Sequence, residues 1–124
     1  NEKMNIKQKA YKTTKISNTP LYLFITLKKY DITKKSKESY EIPIDNLNFN
    51  KYCIGYDQFD CNYQLIGVIC HVGSLNFGHY YSIIKKNNKW YLCNDNSISE
   101  FNIEKQQKMI NKNAYVLLYM KNKK

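Results

Sequence analysis

Cys70-His71-Val72-Gly73-Ser74-Leu75-Asn76-Phe77-Gly78-His79-Tyr80-Tyr81, continued by Ser82-Ile83-Ile84-Lys85-Lys86-Asn87-Asn88-Lys89-Trp90-Tyr91-Leu92-Cys93-Asn94-Asp95, is the stretch on which the reading of this chain turns. Residues 79–86 and 89–94 are aromatic and β-branched enough for two strands. Asn87-Asn88 between them is a pair that accepts positive φ, so the segment reads as a hairpin. A loop with Gly73 and Gly78 at its ends leads in, and glycine there permits backbone paths that a Cβ would resist. One end of the hairpin collects a histidine, an amide and a carboxylate. Nucleophilic hydrolases use such a trio to orient and charge a general base.

His79 is the candidate base, because an imidazole titrates near pH 6.5 and can both take and return a proton. Strand geometry selects its partner. With a two-residue turn at Asn87-Asn88, Lys86 pairs with Lys89, Tyr81 with Asn94 and His79 with Asn96. Side chains alternate between faces, so Asn94 shares the face of His79 on the neighbouring diagonal, at a Cα spacing of roughly 7–8 Å that side chains can bridge. Asp95 is then expected on the other face. A three-residue turn would exchange the two.

Working outward, three further runs read as strands. Pro20 opens residues 21–28, where Leu21, Leu23, Ile25 and Leu27 fall on one face and Tyr22 and Phe24 on the other. Residues 63–71 place Leu65, Gly67 and Ile69 on one face and Ile66, Val68 and Cys70 on the other. Apolar residues on both faces predict strands covered on both sides. Residues 114–120 form the last strand, Ile98 to Phe101 can add a short one, and residues 103–111 have a weak helical pattern. The fold class expected is α+β, dominated by an antiparallel sheet. Residues 31–39 and 48–62 read as polar loops, and residues 1–19 are left without assigned structure.

The chain has 124 residues and reads as a single unit. Twelve tyrosines argue for a packed chain despite the many Lys and Asn. The net charge is +10, but Lys is spread through loops, strands and tails alike. We read it as composition and expect no nucleic-acid partner. The four cysteines, Cys53, Cys61, Cys70 and Cys93, form no Cys-x-x-Cys pair, so no metal site is expected. Cys70 and Cys93 fall mid-strand and read as buried thiols, which points to a reducing, intracellular compartment. No apolar run is long enough to span a bilayer, and no signal peptide is visible at the start, so no membrane partner is expected.

His71-x-Gly73, Gly78-His79-Tyr80 and Lys89-Trp90-Tyr91-Leu92-Cys93-Asn94-Asp95-Asn96-Ser97 together resemble the histidine box of the ubiquitin-specific proteases, the USP family of cysteine deubiquitinases. Pro20-Leu21-Tyr22-Leu23-Phe24-Ile25-Thr26-Leu27-Lys28-Lys29-Tyr30 resembles that family's Pro-x-x-Leu-x-x-x-Leu-Lys-Arg-Phe strand. Asn113-Ala114-Tyr115-Val116-Leu117-Leu118-Tyr119 resembles its closing Ala-Tyr-x-Leu-x-Tyr strand. The order and spacing agree along nearly the whole chain.

The resemblance implies the palm half of a papain-like cysteine proteinase fold, the C-terminal part of the catalytic domain. It implies His79 as general base and Asn94 as the group that orients it; beside them we read Asp95 as secondary polar support or a structural residue. Gly78 and Tyr80 would lie along a bound peptide tail, although Tyr80 can equally be core packing. His71 is implied as a supporting residue, and Trp90 reads as core. No cofactor is implied. The implied partners are ubiquitin or a ubiquitinated protein and the other half of the domain, in a cytoplasmic or nuclear setting. The family's nucleophile lies in a cysteine box that has no counterpart here, so this fragment alone is expected to be inactive. Two functions stay open: part of a cysteine-type ubiquitin carboxyl-terminal hydrolase, or a catalytically inert module of the same fold that binds ubiquitin or another protein. Asp57, Asp60 and Asp95 are the acidic candidates for meeting ubiquitin's basic tail.

Overall fold

A computed structural model describes residues 12, 14–29, 39–55, 61–74 and 76–122. Its frame is one antiparallel sheet. The strands are β1 (Tyr22–Thr26), β2 (Leu47–Asn48), β3 (Asn62–Gly73), β4 (Gly78–Lys86), β5 (Lys89–Asn94), β6 (Ser97–Glu100) and β7 (Ala114–Lys121). They lie in the order β1-β7-β3-β4-β5-β6, with β2 paired to the start of β3. Each run expected to be a strand contributes one to this sheet, although β1 is shorter than the expected 21–28. The β4–β5 turn has two residues: Lys86 pairs with Lys89, and Asn87 and Asn88 sit at φ 52° and 63°. That is the primed turn whose twist matches the flanking strands.

The core lies on one face of the sheet. Leu65, Val68, Cys70, Ile83, Leu117 and Tyr119 are all buried there, packed with Ile42, Phe101, Ile103 and Ile110. Ile110 comes from α1 (Gln107–Asn113), which runs directly into β7. A seven-residue helix is too short to hold by itself. Its support is tertiary. The Asn111 side-chain oxygen accepts from the Ile42 backbone N–H at 3.0 Å, and Gln107 Nε2 donates to the Ile42 carbonyl at 3.0 Å. At the other end, the buried Lys29 ammonium donates to the Lys112 carbonyl at 2.7 Å. That carbonyl belongs to the last helical turn, where a cation is well placed. The helix begins later than the sequence pattern predicts, because residues 103–106 are turns, with the Asn102 side chain accepting from the Lys105 N–H at 3.0 Å.

Two expectations are corrected. The sheet is not covered on both sides among the described residues: Phe24 is 67% exposed, Ile69 42% and Ile84 40%. For β1 the cause is position, since it is the outer strand and pairs only with β7. The strict alternation predicted for residues 63–71 also fails. The β3–β7 register shifts between Leu65 and Gly67, so Leu65 shares the core face with Val68 and Cys70 rather than with Ile69. A bulge of this kind inserts one residue and resets which face follows.

Candidate active site

His79 is the second residue of β4, and Asn94 is the last of β5. The ladder is Lys86 with Lys89 down to Ser82 with Cys93, which leaves Tyr81 facing Asn94 and His79 one step beyond on the same face. The diagonal is bridged: His79 Nε2 lies 2.6 Å from Asn94 Oδ1. An amide oxygen only accepts, so in this arrangement Nε2–H donates and Nδ1 is the ring nitrogen left as acceptor.

Asp95 is not where alternation predicts. Its carboxylate oxygen Oδ2 stands 4.0 Å from His79 Nε2 instead of on the opposite face. The strand ends at Asn94; Asp95, at φ 52°, begins the two-residue turn into β6, where Asn94 pairs with Ser97. The expected His79–Asn96 pair does not form, because β5 has already ended. His79 and Asp95 side chains are 45% and 79% exposed, so their attraction is screened by water. The hydrogen bond to Asn94 is the directional contact.

The loop before His79 closes on itself. Phe77 N–H donates to Ser74 Oγ at 3.1 Å, and Ser74 N–H donates to the Phe77 carbonyl at 3.2 Å. Gly73 has φ 101°, in the left-handed region, and a Cβ there would come 2.6 Å from the Phe77 carbonyl oxygen. Phe77, itself part of this loop, is 86% exposed, and no sequence pattern singles it out. Tyr80 is exposed rather than packed in the core; its ring lies 4.5 Å from that of His71 and 6.3 Å from that of Tyr115. Trp90 is buried, as its area predicts.

Behind His79, Tyr81 hydrogen-bonds the Cys70 thiol, and its hydroxyl accepts from Asn113 Nδ2 at 3.1 Å. Burial pushes the Cys70 thiol up to about 11, partly offset by the Tyr81 hydrogen bond and the Lys29 charge. Burial, with the neighbouring Cys70, pushes Tyr81 up to about 12. Both stay protonated at neutral pH, and Cys70 there is a thiol rather than a nucleophilic thiolate. This support depends on β3–β4 register, which pairs Cys70 with Tyr81 and is not written in either residue alone. Cys53 and Cys61 are also buried, and Cys93 is partly so. Among the described residues no three His, Cys, Asp or Glu side chains gather as metal ligands would. Asp57 and Asp60 lie outside the described residues.

Comparison with known proteins adds four findings. The family model described as ubiquitin carboxyl-terminal hydrolase matches residues 1–119. A protein of Acanthamoeba polyphaga mimivirus named "Probable ubiquitin carboxyl-terminal hydrolase" is 34% identical over 122 residues, covering 93% of this chain and 25% of its own length. Ubiquitin carboxyl-terminal hydrolase 16 of Arabidopsis thaliana is 32% identical over 116 residues, which is 90% of this chain and 11% of that protein. Among solved structures, the SAGA DUB module of Ubp8, Sgf11, Sus1 and Sgf73 bound to monoubiquitin matches with a TM-score of 0.74 and 28% identity, over 88% of this chain and 25% of the matched one. The chain therefore spans a quarter or less of these relatives.

Proposed function

The chain belongs to the ubiquitin carboxyl-terminal hydrolase family, and we propose that it is the C-terminal part of the catalytic domain of a thiol-dependent deubiquitinase. The observation that carries this reading is the 2.6 Å contact between His79 Nε2 and Asn94 Oδ1. With Nε2–H engaged, Nδ1 takes the proton of a cysteine thiol. The thiolate attacks the carbonyl carbon of the C-terminal glycine of ubiquitin. His79 returns the proton to the leaving amine as the C–N bond breaks, and a water then releases the acyl group with the same base. An amide partner fixes the tautomer but stabilises the imidazolium less than a carboxylate would. Asp95, 4.0 Å from the ring, is the secondary polar support. Gly78 and Tyr80 flank His79 along β4, and it is their backbone that borders the path of the ubiquitin tail, since their side-chain positions fall on the opposite sheet face.

The nucleophile belongs to the remainder of the domain, outside this chain. Cys70 is held protonated by burial, and Cys53 and Cys61 are buried as well. The partners in this reading are the missing N-terminal half of the domain and ubiquitin or a ubiquitinated protein. Four free cysteines fit a cytoplasmic or nuclear setting.

Activity on a ubiquitin C-terminal amide tests the proposal. The intact protein cleaves it, His79→Ala abolishes cleavage, and the 124-residue chain alone is inactive. Cleavage by the chain alone that disappears on mutating one of its four cysteines would overturn the missing-nucleophile reading. An intact protein that binds ubiquitin without cleaving it would be an inert binding module.

A further inference from the structure

His71 is 3% exposed, although it lies one strand away from the open end where His79 sits. The β3–β4 register pairs His71 with Tyr80, Val72 with His79 and Gly73 with Gly78. His71, Tyr80 and Gly78 therefore share the sheet face opposite the one that carries His79. The His71 ring lies 4.5 Å from the Tyr80 ring, the two planes tilted by 51°. It also reaches the neighbouring diagonal. A Cβ added at Gly78 would overlap Nε2 and Cε1 of the His71 imidazole and stand 2.9 Å from the Val72 carbonyl oxygen. Gly78, unlike Gly73, has no positive φ. What position 78 requires is room, and the imidazole of His71 occupies it.

Gly78 and Tyr80 are the two residues on either side of His79. A buried ring seated against both holds the backbone from which the His79 side chain projects. A ring enclosed in this way cannot swing aside cheaply, because packed interiors transmit displacement. A shift of about 1 Å at a catalytic group can lower turnover by about 100-fold.

We propose that His71 is a positioning residue for the His79 base: its imidazole, seated on Gly78 and Tyr80, fixes the β4 backbone so that His79 Nε2 meets Asn94. The proposal rests on the deubiquitinase reading of His79, and its test separates the two.

The test is a double-mutant cycle in the intact protein, using hydrolysis of a ubiquitin C-terminal amide and the NMR signals of the His79 ring. Gly78→Ala lowers kcat by ~100-fold; in a His71→Ala background the same change costs less than ~10-fold, because only the Val72 carbonyl then opposes the new methyl. The His79 ring signals move with Gly78→Ala in the first background and much less in the second. Equal factors and equal signal shifts in both backgrounds overturn the proposal. If Gly78→Ala prevents folding, His71→Ala alone decides. Lower kcat at unchanged KM with displaced His79 signals supports positioning, and unmoved His79 signals overturn it. If the unmutated protein hydrolyses nothing, the deubiquitinase reading fails, and the His79 signals, read the same way, still decide the role of His71.

Discussion

His79 and Asn94 meet across a diagonal of the β4–β5 hairpin at 2.6 Å, while Asp95, the next residue along the chain, stands 4.0 Å from the same ring nitrogen. Adjacent polar side chains thus have different relations to one imidazole, and they predict different mutational effects. Asn94→Ala removes the acceptor that fixes the tautomer and should lower kcat of the intact protein by ~10- to 100-fold. Asp95→Ala removes an exposed, water-screened charge worth ~1 kcal/mol or less, equivalent to a loss of under ~5-fold. Steady-state kinetics on a ubiquitin C-terminal amide would decide between them. A larger loss for Asp95→Ala would make the carboxylate the principal partner.

The contact depends on the length of the hairpin turn, so the turn has its own prediction. Asn87 and Asn88 both occupy left-handed backbone, at φ 52° and 63°. Asn88→Gly should raise stability by ~0.5 kcal/mol, and Asn88→Val should lower it by ~1–2 kcal/mol, since a β-branched residue resists that conformation. Urea denaturation of the protein reads both. A neutral Asn88→Val would show that the turn is not held at positive φ.

The legible parts of the fold share one feature: a local signal strong enough to stand alone. Asn87-Asn88 between two β-rich runs specified the hairpin, and from it the shared face of His79 and Asn94. Where the local signal was uniform, it failed. Leu65-Ile66-Gly67-Val68 is apolar at every position, so no alternation marked the register shift that puts Leu65 and Val68 on one face. Asp95 was misplaced because its position depends on a φ of 52° at the end of a strand, which period-two reasoning does not reach. The Cys70–Tyr81–Asn113 support and the seating of His71 on Gly78 come from cross-strand register, which becomes visible only when β3, β4 and β7 are assembled.

Lys29 supplies a third prediction. It is 1% exposed, and its ammonium donates to the Lys112 carbonyl at 2.7 Å, with the Tyr40 ring centroid 5.8 Å away. Lys29→Met keeps much of the side-chain volume and leaves that terminal helix carbonyl without this donor. Losing a buried partner costs ~1–3 kcal/mol, although removal of a buried charge offsets part of it. The expected result is a lower urea midpoint at unchanged slope, with the loss of protection in hydrogen exchange centred on α1 and the start of β7. An unchanged midpoint would mean that helix and sheet are held together without Lys29.

The buried pair Cys70 and Tyr81 predicts how stability responds to alkaline pH. The Cys70 thiol is pushed from an ordinary 9.0 to about 11 by burial, and Tyr81 from 10.0 to about 12 by burial and by its neighbour Cys70. Burial raises Tyr119 in the same direction. In each case the folded chain holds its proton more tightly than the unfolded chain does. The stabilisation is therefore fully present below pH 9 and is lost as the pH rises, because the unfolded chain releases its protons first. For Cys70 the loss lies between about pH 9 and 11 and is ~2–3 kcal/mol at most. Cys70→Ala deletes this titration, so its stability should fall less steeply than that of the unmutated protein between pH 9 and 10, while the tyrosines still impose a decline above that range. Urea midpoints measured across pH 7–11 for both proteins test this. Parallel curves would mean that the Cys70 thiol is not shielded from water by the sheet and the residues packed on it.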